Sequence, residues 1–148
     1  EFGIFTETEL HSRYEILLET YSKIINIEGL TMVDMASKDI LPAVNTYIAK
    51  LTATAAAKKG LNASLPCKME LSLIEKLSAL EDKAYEQVGV LSEALTSAEG
   101  SGLELATYYK DVVITAMNEL RATVDAIEVN TDASLWPYPQ YGDLLFRI

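Results

Sequence analysis

The stretch YEILLETYSKIINIEGLTMVDMASKDILPAVNTYIAKLTAT, residues 14–54, decides how this chain folds. Stepping through it by three or four residues gives Tyr14, Leu18, Tyr21, Ile25, Gly29, Met32, Ala36, Ile40, Ala43, Tyr47, Leu51 and Thr54. Eleven steps cover forty residues, a mean of about 3.6, which is the α-helical repeat. Only Gly29 and Thr54 are not plainly apolar. The phase passes unbroken through Gly29 and Pro42, the two residues that would ordinarily interrupt a helix. One very long helix over about residues 6–59, kinked near Pro42, fits this pattern. The alternative is two helices meeting near Gly29, since Ile27-Glu28-Gly29 can hold a short turn.

Both ends of the pattern carry punctuation. Thr6-Glu7-Thr8-Glu9 is a capping box, the Thr6 hydroxyl placed for a free amide and Glu9 reaching back. Lys58-Lys59-Gly60 puts cations on the carbonyl end, followed by a glycine able to turn left-handed. Residues 60–68 read as a loop. A second helix over about 69–98 carries Ile74, Leu77, Leu80, Ala84, Val88, Leu91 and Leu95 on one face, with Gly89 inside it. Thr96 to Gly100 ends it. Ser101-Gly102-Leu103-Glu104 reads as a further capping box, opening a helix over about 102–129 with Tyr109, Val113, Ala116, Leu120, Val124 and Ile127 on one face. The last two helices are joined by a few residues and should be antiparallel neighbours. Sustained strand-type alternation, internal repeats and low-complexity tracts are missing. The reading is all-α: one module over residues 1–148, an antiparallel bundle of three or four long helices with an extended, non-helical aromatic and proline-rich tail over 131–148.

Composition agrees with one packed domain. The chain has 148 residues, is 49% hydrophobic, and carries 22 acidic against 12 basic residues for a net charge of −10. That acidity disfavours nucleic acid, whose phosphates are bound by Lys and Arg. No apolar run approaches the roughly 18 residues of a membrane helix, and Glu1-Phe2-Gly3-Ile4-Phe5 lacks a signal-peptide layout. A cytoplasmic setting is the expectation. The first residue is not Met, and the opening looks like mid-sequence material, so the chain reads as a piece of a longer polypeptide.

Chemistry is sparse. His11 is the single histidine, whereas a di-iron bundle needs a Glu-x-x-His motif on two helices, and Thr8 stands where the first glutamate would be. Cys67, the single cysteine, excludes a disulfide framework and a cysteine zinc site, and it has no base to activate it. Glu70, Glu75, Glu81, Asp82, Glu86 and Glu93 alternate with Lys and small polar residues, as on a solvated helix face. Phosphate-loop, dinucleotide and nucleophile-elbow motifs do not occur. The residues read as holding no catalytic, cofactor-binding or metal-binding site.

The tail is different. Leu135, Trp136, Tyr138, Tyr141, Leu144, Leu145 and Phe146 concentrate apolar area in a segment without periodicity. Such area must lie against something, either this bundle or a partner. Trp136, Tyr138, Tyr141, Leu145 and Phe146 are the candidate interface residues. The first helix makes a similar demand. Fifty residues span roughly 75 Å, the later helices cover only about half of that, and the uncovered apolar stripe needs a partner.

Three blocks, Glu9-Leu10-His11-Ser12-Arg13-Tyr14-Glu15-Ile16-Leu17-Leu18-Glu19, Asp39-Ile40-Leu41-Pro42-Ala43-Val44 and Trp136-Pro137-Tyr138-Pro139-Gln140-Tyr141-Gly142-Asp143-Leu144-Leu145-Phe146, resemble the C-terminal region of type III glutamine synthetases. The match extends over nearly the whole chain, with less of it between about Gly60 and Gly100. The resemblance implies a parent ligase that joins ammonia to glutamate using ATP and a divalent metal, Mg or Mn, and assembles as stacked rings of subunits. Its metal-binding glutamates and nucleotide site belong upstream, so no catalytic residue is carried over. The expected role is a non-catalytic helical C-terminal domain whose partners are the upstream catalytic domain and other subunits of a homo-oligomer. The competing reading is an independent helical scaffold or adaptor that self-associates through its first helix.

Overall fold

In the computed structural model, which describes residues 3–139 and 144–145, the chain is all-α, with no strand among the described residues. Helix α1 runs Glu7–Met35, a π-helical turn occupies Ala36–Ile40, and α2 continues over Leu41–Leu61. Together they make one helical rod of 55 residues. Helix α3 spans Lys68–Thr96. Then α4 (Gly102–Tyr108), a second π turn (Tyr109–Val113) and α5 (Ile114–Glu128) form another continuous helix. Short connections fold the three back on one another, α3 against α2 and α5, and α4 against α1. The result is an antiparallel three-helix bundle.

The rod begins as its sequence predicts. The Thr6 hydroxyl accepts from the Glu9 amide at 3.3 Å, and the Thr6 amide donates to the Glu9 carboxylate at 2.8 Å. It passes Gly29 without a break. The irregularity expected near Pro42 takes the form of the π turn. Proline has no N–H to give the carbonyl four residues back, and its ring crowds that carbonyl. The Leu41 amide instead reaches five residues back, to the Ala36 carbonyl, so the helix widens for one turn and then resumes.

Two expected boundaries differ. Gly60 does not turn left-handed: the helix continues through Leu61 and ends where Asn62 becomes extended (φ −155°, ψ 121°). Lys59 instead caps the loop, donating to the Ala63 carbonyl at 2.9 Å. Ser101 precedes α4 as predicted but its side chain makes no capping bond. Gly102, the first helical residue, has φ +58°. Glu104 leans instead toward Gly100.

The core follows the sequence stripes. Ala36, Ile40, Val44 and Leu51 of the rod meet Leu77, Ala84, Leu91 and Leu95 of α3, and Tyr109, Val113, Ala116, Leu120 and Ile127 of the third helix. Gly29, itself buried, lies against Leu95 of α3. A Cβ there would stand 2.8 Å from Leu95 Cδ2. Only at the rod's ends does the stripe leave the core, with Tyr14 and Thr54 exposed.

Glu70 corrects the expectation of a solvated acidic face. It is 2% exposed and paired with the Lys58 ammonium across the α2–α3 turn. Lys58, twelve residues earlier, supplies the charge without which a buried carboxylate would be prohibitively costly. The pairing holds the Glu70 carboxyl below its ordinary range and the Lys58 amine above its own. The tail is non-helical through Pro139, with a turn at 133–135, while Leu144 and Leu145 are helical.

Candidate interaction surface

Bundle packing reaches the rod near Asn26 and Gly29, where Tyr109 and Leu95 meet it. N-terminal to that crossing the rod projects. Every residue from Gly3 to Leu17 is exposed, and the fifteen residues separating Glu7 from Ser22 correspond to about 22 Å of helix. Leu10, Tyr14 and Leu17 on this segment, and Ile24 just beyond it, are 61%, 49%, 68% and 48% exposed. With half-buried Tyr21 between the last two, they recur at steps of four and three. They therefore lie on one stripe, roughly a third of a turn from the face that carries Ser22 and Gly29 into the bundle. Phe5 covers the Arg13 guanidinium, 4.5 Å from the ring centroid.

Of the candidate tail residues, Trp136, Tyr138 and Leu145 are among the described residues. Trp136 and Tyr138 fold back and pack on the bundle core. The Tyr138 hydroxyl donates to Asp39 of the first π turn at 2.6 Å. This bond to a carboxylate holds the phenol in its protonated form, and with burial pushes its pKa to about 12. Leu145 is 66% exposed, as is its neighbour Leu144 at 68%. Tyr141 and Phe146 lie outside the described residues.

A second concave feature runs along the other side of the projecting segment. A cavity of about 590 Å³ lies between α1, from Ser12 to Asn26, and the Gly100–Tyr109 segment. Its wall carries Glu15 and Glu19, and its floor holds two buried hydroxyls, Ser22 at 4% and Tyr109 at 6% exposed. Sequence reading missed this groove, because Asn26 and Tyr109 are 83 residues apart and neither belongs to a motif.

Reactive chemistry is thin. Cys67 is 4% exposed and its thiol lies 3.8 Å from the carbonyls of Ala55 and Leu65. That environment supplies no base and no access. His11 is exposed in the first turns, 3.6 Å from Glu15. Among the described residues, no group of three or more His, Cys, Asp or Glu side chains could hold a metal ion. No helix among them is long and apolar enough to cross a membrane.

Residues 1–59 match the family described as the glutamine synthetase C-terminal domain. Over 99% of its length, the chain is similar to a glutamine synthetase of Butyrivibrio fibrisolvens, at 38% identity. It is 30% identical, again over 99% of its length, to a type-3 glutamine synthetase of Dictyostelium discoideum. A glutamine synthetase of Bacteroides fragilis is 28% identical over 97% of the chain. The chain spans about one fifth of these relatives, 21%, 21% and 20% of their lengths. No solved structure matches it.

Proposed function

This chain belongs to the glutamine synthetases, as a C-terminal domain of the type III kind, and from that premise we propose that it is a non-catalytic docking module. It packs on the catalytic core, or on neighbouring subunits, of an enzyme that makes glutamine from glutamate and ammonia with ATP and a divalent metal. The projecting end of α1 is the docking element. One observation carries this reading: Leu10, Tyr14, Leu17 and Ile24 form an exposed apolar stripe on a rod end that the chain's own helices leave uncovered. Scattered exposed apolar residues need no explanation, but an aligned set on a projecting helix is the pattern of an interaction face. The four fifths of the relatives' length that lies outside this chain is the surface available to cover it.

The test is co-expression of this chain with the separate catalytic portion of its enzyme. Co-purification of the two and its loss in the Leu10→Ser/Leu17→Ser variant are the expected results. If the catalytic portion assembles fully alone and does not retain this chain, the reading fails. Independent γ-glutamyl transfer by the 148-residue chain would also sink it.

A further inference from the structure

We infer that the rod carries a second contact face, made for a second copy of this chain, on which two rods pair antiparallel about a two-fold axis. This goes beyond the docking reading and does not rest on it, because the face lies on a different side of the rod.

The face consists of Glu19, Lys23, Ile27, Leu30, Asp34 and Lys38. Their spacing is four, four, three, four and four, which reads the same in both directions. At about 100° per residue the six directions share an arc of about 100°. That arc lies roughly a third of a turn from the buried side of Ser22 and Gly29, and about as far, the other way, from the stripe of Leu10 and Leu17. All six residues are exposed, Ile27 and Leu30 at 63% and 54%. Apolar side chains thus emerge on three sides of the rod, and a helix of that kind is covered on more sides than one.

Charge identifies the occupant. Read from its N-terminal end, the face runs acid, base, apolar, apolar, acid, base. Ile27 and Leu30, Lys23 and Asp34, and Glu19 and Lys38 are nested pairs with one midpoint, between Glu28 and Gly29. A second rod laid antiparallel about that midpoint brings Ile27 to Leu30, Lys23 to Asp34 and Glu19 to Lys38. Each contact is made twice, as an isologous interface requires. A parallel copy would set Glu19 against Glu19 and Lys23 against Lys23. Within one rod Glu19 pairs with Lys23, and Asp34 with Lys38. Antiparallel stacking opposes these two dipoles, so each charge gains a second opposite neighbour and keeps its first. The face carries two acids and two bases and is neutral, on a chain of net charge −10. Glu28, the remaining charge between Ile16 and Lys38, points away by more than a quarter-turn. Leu30, Asp34 and Lys38 also edge an open hollow of about 660 Å³, which receives the second copy's Lys23 and Ile27. The face is short, about 28 Å from Glu19 to Lys38. One helix face of that length buries less than the roughly 1,200 Å² of a stable interface, so the 148-residue chain pairs weakly and reversibly.

The test is sedimentation equilibrium of the 148-residue chain, from micromolar to about millimolar loading. A reversible monomer–dimer equilibrium is expected. Lys23→Glu/Lys38→Glu makes the face wholly acidic, and Glu19→Lys/Asp34→Lys makes it wholly basic. Each should weaken dimerisation about tenfold or more, and an equimolar mixture of the two should restore it as a heterodimer. Both variants stay net acidic, so overall charge opposes the heterodimer and its formation reports the face. All four side chains are more than half exposed, so the variants keep the fold. Ile27→Ser/Leu30→Ser should abolish dimerisation and leave co-purification with the catalytic portion intact, whereas Leu10→Ser/Leu17→Ser should do the reverse. The inference is overturned if the wild-type chain stays monomeric, if either charge variant dimerises unchanged, or if mixing restores nothing. A monomeric chain whose co-purification is lost in Ile27→Ser/Leu30→Ser would assign the face to the catalytic portion instead, leaving the docking reading standing and this one refuted.

Discussion

The hydroxyl of Tyr138 and the carboxylate of Asp39 meet at 2.6 Å across 99 positions of sequence, joining the tail to the π turn in the middle of the rod. With Trp136 and Tyr138 packed on the core, this bond fixes the path of the first residues after α5.

Tyr138 should therefore titrate apart from the other tyrosines. Its folded pKa of about 12 lies above the ordinary 10.0, so the protonated phenol is favoured by folding. That contribution is complete below pH 10 and fades as pH rises toward 12. Ultraviolet titration should show a late-ionising phenol near the top of the range, missing in Tyr138→Phe and shifted back toward normal in Asp39→Asn, while Tyr109, raised by its own burial, stays late in both variants. A wild-type chain with no late phenol would contradict the bond.

The Lys58–Glu70 pair should give a stability plateau with two flanks. Glu70 is depressed from 4.5, so its contribution is present above that value and is lost as pH falls through the folded pKa. Lys58 is raised from 10.5, so its contribution holds below that value and is lost as pH rises through the folded pKa. Thermal melts of Lys58→Met should show a lowered Tm at neutral pH, because a buried carboxylate is left unpaired, and the deficit should shrink in acid. Lys58→Met/Glu70→Leu should recover much of the loss.

Gly29 and Gly89 should respond oppositely to enlargement. Nothing lies within 4 Å of a Cβ at Gly89, so Gly89→Ala should add about 1 kcal/mol of helix preference. At Gly29 a Cβ meets Leu95 at 2.8 Å. Gly29→Ala gains the same preference, displaces a flexible side-chain end, and should change little. Gly29→Leu overfills the crossing and should cost about 1–3 kcal/mol. Urea unfolding would order the three variants, and a neutral Gly29→Leu would deny the close approach.

Leu17→Ser should leave the chain's own stability within about 0.5 kcal/mol of wild type, because Leu17 is 68% exposed. Leu120→Ala, at 1% exposure, should cost about 2–5 kcal/mol. Denaturant titration of both separates residues that hold the bundle from residues free to face a partner.

Much of this architecture is legible in the residues themselves. Apolar spacing near 3.6 locates all three helices, and Leu77, Leu91, Val113, Leu120 and Ile127 are core positions on both readings. Periodicity averages over many side chains, so it survives Gly29 and Pro42. Single contacts do not average. Glu70 looks like one more surface acid until the α2–α3 turn brings Lys58 to it. Ser101 has the residues of a capping box, yet its side chain makes no capping bond. The groove and the Tyr138–Asp39 bond each join residues more than eighty positions apart, so they exist only once the helices have folded back. The spacing read from the sequence picks out the face of Tyr14, Leu18, Tyr21 and Ile25, whereas the exposed stripe runs through Leu10, Leu17 and Ile24, and which face lies uncovered depends on where Leu95 and Tyr109 meet the rod.

The π turn at Ala36–Ile40 works as an angular vernier. Each α-helical residue advances the side-chain direction by about 100°, so widening one turn before Pro42 resets the compass bearing of everything upstream against α2 and α3. Removing a single residue from Ala36–Ile40 would leave a regular helix of almost the same length. It would also swing Leu10, Tyr14, Leu17 and Ile24 to a different azimuth, so a one-codon deletion there could misdirect the far end of the rod while the α2–α3 packing stayed intact.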